Sequence, residues 1–331
     1  MKIIFYSSVS NKDFFDTQSF YKNDIEVLRD LGHSVLVSNR IFDFLYFWRY
    51  DISFLYFYRK SCFAAIISRL FRKRVFFTGG IDGLDKANVP LLEYALQRFF
   101  FNVCYILSSC CFIVSNSDLV NAKHALVRSN DKLYLSFHPV NFIECASNVY
   151  DSRKNDIVSI CWMGSVGNVK RKGLDRAIYL FADLLKSNVF VNSSFHIIGF
   201  MGDGYSYLQD IVVRLDLSNN VFFHGSVSES QKISFLTENK YYFQLSVYEG
   251  FGVAALEALS LGCCVVHTNN GGLSDTVGDK GVILDALIAK SDIDSLVTRL
   301  SDFRPLADFS SVKNSFSPAN RGYDFKINGL A

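Results

Sequence analysis

The sequence predicts an α/β protein built as two parallel-sheet domains in series. Short apolar runs alternate with helix-period segments in both halves, the pattern of parallel strands crossed by helices. The alternation breaks and restarts near Ile157. The chain has 331 residues, enough for two domains of ordinary size.

In the first half, Lys2–Tyr6 reads as a strand. Residues 20–31 read as a helix through Phe20, Ile25, Val27, Leu28 and Leu31, and Gly32 ends it. Ser34–Ser38, Ile52–Tyr56, residues 75–78 and residues 111–115 read as further strands, with a helix over 63–70. Residues 99–114 are apolar but contain Asn102, Ser108 and Ser109, so they read as a helix end and a buried strand rather than a membrane span. Residues 146–155 are polar and read as the linker. In the second half, residues 157–164 form a strand ending in glycine. Residues 173–187 follow as a one-sided helix through Leu174, Ala177, Ile178, Phe181, Leu184 and Leu185. FHIIG, NVFFHG, YYFQLSV and CCVVHT are the next strands, and Ser317-Pro318 starts a last helix.

Composition excludes several classes. Hydrophobic residues are 50% and charged residues 20%, which supports a large core and argues against disorder. The net charge of +2 is too small to suggest nucleic-acid binding. The eight cysteines form no Cys-x-x-Cys and lie mostly in apolar runs, as expected in a reducing compartment. The six histidines lack metal-ligand spacing. MKIIFYSSVS is too short in apolar residues for a signal-peptide core, so the expected location is cytoplasmic.

The chemistry concentrates in YEGFGVAALEALSLGCCVV, residues 248–266. Glu249 precedes a Gly-Phe-Gly turn, and Glu257 lies within the helix that follows. A glycine turn opening a helix offers N–H groups and a positive dipole end to an anion. Carboxylates repel phosphate but accept hydrogen bonds from hydroxyls. A ligand with phosphate in its middle and hydroxyl-rich rings at both ends satisfies both, and a nucleotide-sugar is such a ligand. A second cluster lies in MGSVGNVKRKGLDRAI, residues 163–178. Here Lys170, Arg171 and Lys172 immediately precede an expected helix start at Gly173. Cations there oppose the helix dipole, and a bound anion would remove that cost.

The Glu-x7-Glu segment resembles the signature of retaining glycosyltransferases of the GT-B fold, family 4 (glycosyl transferases group 1). The turn at Leu261-Gly262, the strand from Cys263 to His267, the pair Gly271-Gly272 and the acid Asp275 follow in the family's order. The resemblance implies two Rossmann-like doubly wound domains facing a cleft. Residues 1–150 would bind the acceptor, 151–311 the nucleotide-sugar, and 312–331 would cross back to the N-terminal domain.

The same resemblance assigns roles. Lys172-Gly173 matches the family's Lys-Gly at the donor diphosphate. Gly164 and Ser165 would lie on the turn that binds the donor; the family's Arg after Gly164 is replaced there by Ser165, which leaves Arg171 as the candidate guanidinium. Glu249 would hold sugar hydroxyls and Glu257 the ribose. Gly250 and the N–H groups of Phe251, Gly252 and Val253 would face the donor. Gly199 and the backbone of Val227 fall where the family meets the nucleobase. The family's sugar-contacting His has no counterpart in FFTGGIDGLD, where Asp82 is the candidate. Asp292-Ile293-Asp294 resembles a metal motif of the other glycosyltransferase fold but reads as a helix cap. His33 reads as structural.

The implied reaction is sugar transfer from a nucleotide-diphosphate-sugar to a hydroxyl of a glycan or lipid-linked glycan, with retained configuration. The expectation is no metal, no cofactor beyond the donor substrate, and a place in bacterial surface polysaccharide assembly. The alternatives are a nucleotide-sugar 2-epimerase, a phosphorylase and a degenerate non-catalytic subunit; no motif points to a phosphorylase's pyridoxal lysine. Residues 41–74 interleave aromatics with Arg and Lys. Phe44, Tyr46, Phe47, Trp48, Tyr58 and Phe71 exceed what one strand and one helix face can bury, so an anionic membrane surface is a candidate partner.

Overall fold

The structure is a computed structural model that describes residues 1–127, 129–142, 147–284, 293–306 and 308–330. Cysteine 145, Asp292 and part of the expected linker lie outside these residues. The chain forms two compact units, Met1–Asn141 with Ser310–Ala331, and Phe142–Phe309.

Unit 1 holds β1 (Lys2–Tyr6), β2 (Ser34–Ser38), β3 (Ile52–Tyr56), β4 (Arg74–Thr78), β5 (Cys110–Ile113) and β6 (Leu133–Leu135). Their order is β2-β1-β3-β4-β5-β6, with every pairing parallel. β3 is buried along its whole length, because helices cover both faces of such a sheet. The helix Ser61–Leu70 and the helix Leu91–Leu107 pack on one face. The helix Ser19–Asp30 and the C-terminal helix Pro318–Phe325 cover the other.

The aromatic-rich segment is partly corrected. Phe44 and Tyr58 are core residues, with 0% and 1% exposure. A 3-10 turn, Ile41–Leu45, carries Phe44 inward against Tyr6 and Tyr50, at ring-centroid distances of 5.3 and 5.6 Å. Tyr58 packs on Phe77 and Phe101. The sequence reading counted one strand and one helix; the 3-10 turn and the 91–107 helix supply the missing burial. Tyr46, Phe47, Trp48 and Phe71 do remain exposed.

A buried arginine ties the C-terminal helix to unit 1. Arg321 donates through Nε and Nη2 to both carboxylate oxygens of Asp24, at 3.0 and 2.8 Å. It also reaches Thr78 Oγ1 at 2.8 Å and the Ser136 carbonyl. Tyr56 donates to Asp24 as well. Nearby, His33 bonds the Leu330 carbonyl through Nε2, a structural use of that ring.

Unit 2 holds β7 (Lys154–Ile160), β8 (Phe195–Ile198), β9 (Val221–Gly225), β10 (Asn239–Gln244), β11 (Cys264–His267) and β12 (Val282–Ile283). The order β12-β11-β10-β7-β8-β9 is parallel throughout and reverses direction between β7 and β10. Such a reversal leaves a crevice beyond the strands' C-terminal ends, the usual ligand position in open α/β sheets. Part of the expected linker packs into unit 2. Tyr150 is buried, and Arg153 donates to the carbonyls of Leu236 and Leu261. Among the described residues of both units, seven cysteines are free and buried. Among the described residues no helix is long and apolar enough to cross a membrane.

Two buried histidines set an acid limit. Burial, reinforced by the Arg321 charge and opposed by Asp24, pushes His138 down to about 3. Burial likewise pushes His267 down to about 4. The unfolded chain takes up these protons near pH 6.5 while the folded chain refuses them, so the contribution is intact above pH 6.5 and is lost as pH falls toward 4 and then 3. Urea midpoints measured from pH 8 to 4.5 should hold steady and then drop below about pH 6.5. His267→Asn should shallow that drop; an unchanged slope would contradict the assignment.

Candidate functional site

The site is built at the end of β7 and β10, on either side of the reversal. Beyond β7 the chain stays paired with its neighbour: Cys161 donates to Ile198 O and Met163 to Phe200 O, both at 2.8 Å. After Gly164, Ser165 caps the helix Val166–Lys172 by accepting from Asn168 N–H at 3.2 Å. Gly173 ends that helix in the left-handed region, φ +68°, and the helix Leu174–Leu184 starts at once.

This corrects the expectation of a bare turn with three cations at a helix start. Lys170, Arg171 and Lys172 occupy the last turn of the 166–172 helix, where the dipole favours them. Opposition to the dipole therefore does not argue for an anion.

The loop after β10 is fastened to this helix end. Val247 donates to Arg171 O at 2.8 Å, and Arg171 reaches back to Tyr248 O at 3.4 Å and to Asn168 Oδ1 at 3.0 Å. A Cβ on Gly173 would overlap the Leu245 carbonyl oxygen, so only glycine permits this approach. The fastening delivers Lys172 Nζ to Glu249 Oε2 at 2.5 Å. Gln244 Nε2 and Ser246 Oγ donate to the same oxygen, each at 3.2 Å. Glu249 is 8% exposed. Burial alone would raise its pKa, but the charges of Lys172 and Arg171, with bonds from Lys172 and Ser246, hold it below the usual range. It is an ionised carboxylate kept in the fold by cations.

Beyond Glu249 the Gly-Phe-Gly turn opens the helix Val253–Ser260. Gly252 is its N-cap at φ +93°, and Phe251 is buried. Gly271 and Gly272 lie directly on this turn. Gly272 N–H donates to Glu249 O at 2.6 Å, and a Cβ there would come within 2.6 Å of Gly250 O. The glycine pair is thus a close-approach device that fixes the backbone carrying Glu249.

Glu257 is the fifth residue of that helix. Its Oε2 accepts from Lys232 Nζ at 2.9 Å, and Lys232 also pairs with Glu229 at 2.9 Å. Val227 follows β9, two strands beyond β7, and packs against the core face lined by Val158 and Ile198. Gly199 donates to Gly225 O at 2.8 Å and so fastens the ends of β8 and β9 together. Asp82 belongs to unit 1, on the 3-10 turn Asp82–Leu84 after β4. Asp118 supports that turn by accepting from Ile81 N–H at 3.1 Å.

Glu249, Lys172 and Arg171 therefore come together, with Gly250, Phe251, Gly252 and Val253 on the adjoining turn. Gly164 and Ser165 sit on the neighbouring strand end, where Ser165 serves as a cap. Sequence reasoning missed Gln244, Ser246, Asn168 and Lys232, which position the charged groups. Alternate polar residues closing the apolar strand YYFQLSV were the available signal for Gln244 and Ser246.

Residues 162–304 match the family model of glycosyl transferases group 1. One subunit of the phosphatidylinositol N-acetylglucosaminyltransferase of Arabidopsis thaliana is 28% identical over 142 residues, 43% of this chain and 30% of that protein. The match thus spans less than a third of the relative's length. HepE of Anabaena, solved in complex with UDP and glucose, has a TM-score of 0.71 at 15% identity, over 99% of this chain and 98% of that one. Sucrose-phosphate synthase of Thermosynechococcus elongatus has a TM-score of 0.74 at 13% identity, over 99% and 98%. These likenesses establish the GT-B fold.

If Lys172 keeps Glu249 charged and buried, the pair is energetically coupled without any ligand. A double-mutant cycle of Lys172→Met and Glu249→Gln, read by urea denaturation, should give a coupling of about 1–3 kcal/mol. Additive effects would show that the two side chains do not interact.

Proposed function

We propose that the chain is a retaining glycosyltransferase that moves a sugar from a nucleotide-diphosphate-sugar to a hydroxyl of a glycan or lipid-linked glycan. The observation that carries this reading is the buried, ionised Glu249 held by Lys172 beside the Gly-Phe-Gly helix start. The match of residues 162–304 to glycosyl transferases group 1 supports it.

Breaking the bond to the diphosphate is the difficult step, and negative charge grows on the departing phosphates. Lys172 has three donors, so it can keep Glu249 while meeting a phosphate oxygen. Arg171 adds a second cation, and the N–H groups of Phe251, Gly252 and Val253 a third contact. Fixed charges of this kind act where charge develops. The three bonds named above all converge on Oε2 of Glu249, which leaves Oε1 to orient the sugar hydroxyls. Glu257, steadied by Lys232, takes the ribose hydroxyls. Asp82 is a candidate contact for the transferred sugar. The acceptor attacks on the face the diphosphate leaves, and the diphosphate takes its proton, so configuration is retained. The cations replace a divalent ion.

Glu249→Ala and Lys172→Ala should each lower turnover at least about tenfold with the fold intact. Wild-type activity should survive EDTA, and proton NMR of the product should show the donor's anomeric configuration. Near-normal rates in either variant, metal-dependent activity, or inversion would each contradict its part of the reading.

The acceptor side of the proposal places unit 1 on the cytoplasmic face of an anionic membrane, in assembly of a bacterial surface polysaccharide. The support is an exposed apolar and basic face. On the turns around 41–49 it presents Phe42, Leu45, Tyr46, Phe47 and Trp48. Phe71 stacks on Phe47 at 4.3 Å, which joins those turns to the end of the 61–70 helix. That helix and the 91–107 helix pack together and expose Phe63, Leu70, Leu92 and Phe99. Residues 57–74 include Arg59, Lys60, Arg69, Arg72, Lys73 and Arg74 and no acid. Rings and cations together suit the headgroup layer. The chain should float with liposomes containing anionic lipid at low salt, and Trp48→Ser with Arg72→Ser and Lys73→Ser should abolish this. No flotation of the wild type, or unchanged flotation of the variant, would remove the membrane from the reading.

A further inference from the structure

His196 and His224 are 28 residues apart in the chain, yet Nδ1 of His196 lies 3.0 Å from Nε2 of His224. They sit on neighbouring parallel strands, β8 and β9, and a bulge interrupts the register between them. Ile197 pairs with Phe223, but Ile198 pairs with Gly225, so His224 is the extra residue. A bulge bends its strand and re-aims a side chain, and here it turns the ring to His196. No short ligand motif contains both residues, which is why spacing along the chain does not reveal the pair.

The other nitrogen of His196 faces an acid. Asp156, on β7, has Oδ2 at 3.6 Å from His196 Nε2, and its Oδ1 accepts from Ser194 N–H at 2.8 Å. A carboxylate at Nε2 favours the tautomer with its proton there, which leaves a lone pair on Nδ1 directed at His224. An acid and two imidazoles thus run across three adjacent strands. Partial burial, with the His196 ring beside it, lowers the pKa of His224, so that imidazole is neutral at pH 7, the form that binds metal. Phe235, on the helix Glu229–Glu238, packs against both imidazoles at 5.5 and 4.5 Å, and Phe222 stacks on His196 at 5.7 Å. These rings hold the orientation, while His224 stays open to solvent.

Two nitrogens facing each other at 3.0 Å share one proton, and a metal ion can take that proton's place. On a tetrahedral Zn²⁺ with bonds of about 2.0–2.1 Å, two imidazole nitrogens stand about 3.3 Å apart. The pair therefore needs to open by only about 0.3 Å to hold such an ion. His224 then carries its single proton on Nδ1, and both rings remain neutral. Imidazole nitrogen suits late first-row divalent ions, whereas Mg²⁺ and Ca²⁺ require oxygen ligands. Among the described residues no group of three His, Cys, Asp or Glu side chains can hold an ion, so water would fill the remaining positions.

We propose that His196 Nδ1 and His224 Nε2 form a two-histidine site for Zn²⁺, with Asp156 as the positioning residue behind His196. β9 is the edge strand, three positions from β10, which leads to Glu249. The ion would tie that edge strand to β8 and take no part in transfer chemistry. The inference is independent of the nucleotide-sugar reading, and the expectation that activity survives EDTA stands beside it.

Calorimetric titration of the full chain with ZnCl₂ and with MgCl₂ tests this. The wild type should bind one Zn²⁺ at this site and no Mg²⁺. Asp156→Asn should weaken Zn²⁺ affinity about tenfold. His196→Gln and His224→Gln should each weaken it at least as much. His124→Gln, at an exposed histidine on the helix Asn116–Ala125, should leave it unchanged. Zn²⁺ should also slow amide hydrogen exchange over residues 221–225 in the wild type and not in His224→Gln. Circular dichroism checks the fold of each variant. Absence of Zn²⁺ binding by the wild type at millimolar concentration would overturn the site, and so would equal affinity for Mg²⁺. Unchanged Zn²⁺ affinity in both histidine variants, or an equal loss in His124→Gln, would overturn it as well. Loss in His196→Gln and His224→Gln without loss in Asp156→Asn would overturn the part given to Asp156.

Discussion

The geometry of unit 2 turns on the burial of one carboxylate. Glu249 cannot stay ionised at 8% exposure without compensation, because removing a charge from water costs several kcal/mol even after the protein relaxes. Lys172 supplies most of the compensation, with Gln244 and Ser246 completing it. Lys172 can reach it only because Gly173 lets the end of the 166–172 helix press against the Leu245 carbonyl. Glu249 can be presented there only because Gly271 and Gly272 let a second loop lie against its backbone. Two close approaches and one ion pair therefore depend on each other.

That arrangement is not the one that stability alone would favour. A buried ion pair is rarely more stable than well-packed apolar residues of the same volume. Here it lies at the sheet reversal, beside a helix N-terminus, where the fold leaves room for a ligand. The second acid, Glu257, is held by Lys232 in the same manner. Each carboxylate of the Glu-x7-Glu motif thus has its own lysine, drawn from a different helix.

Unit 1 shows the same physics used for architecture. Arg321 is 1% exposed and satisfies Asp24 with two parallel bonds, so the last helix docks through a buried fork. Its remaining donors go to Thr78 and Ser136, at the ends of β4 and β6. One side chain near the C-terminus therefore links four separate stretches of the N-terminal sheet and its helices, counting Tyr56 through Asp24. The apolar outer faces of the 61–70 and 91–107 helices have no such partner within the described residues. Their exposure makes unit 1 chemically two-sided.

What the sequence determined by itself was the part governed by local rules. Strand positions such as Ile52–Tyr56 follow from apolar runs, the 174–184 helix from its period, and the start of the last helix from Ser317-Pro318. The Glu249 turn was legible because a Gly-Phe-Gly that opens a helix between two acids offers N–H groups and hydroxyl acceptors in one short window. Tertiary structure decided everything that depends on distance through space. Lys172 and Glu249 are 77 residues apart, and Arg321 and Asp24 are 297 apart, so no window of sequence contains either pair. The 166–172 helix escaped notice because polar residues dominate its seven positions and a helix that short has little periodicity to read. The burial of Phe44 and Tyr58 was misjudged for a different reason. Whether an aromatic ring faces water depends on which distant helix or turn arrives to cover it, and that is settled only when the whole sheet is assembled.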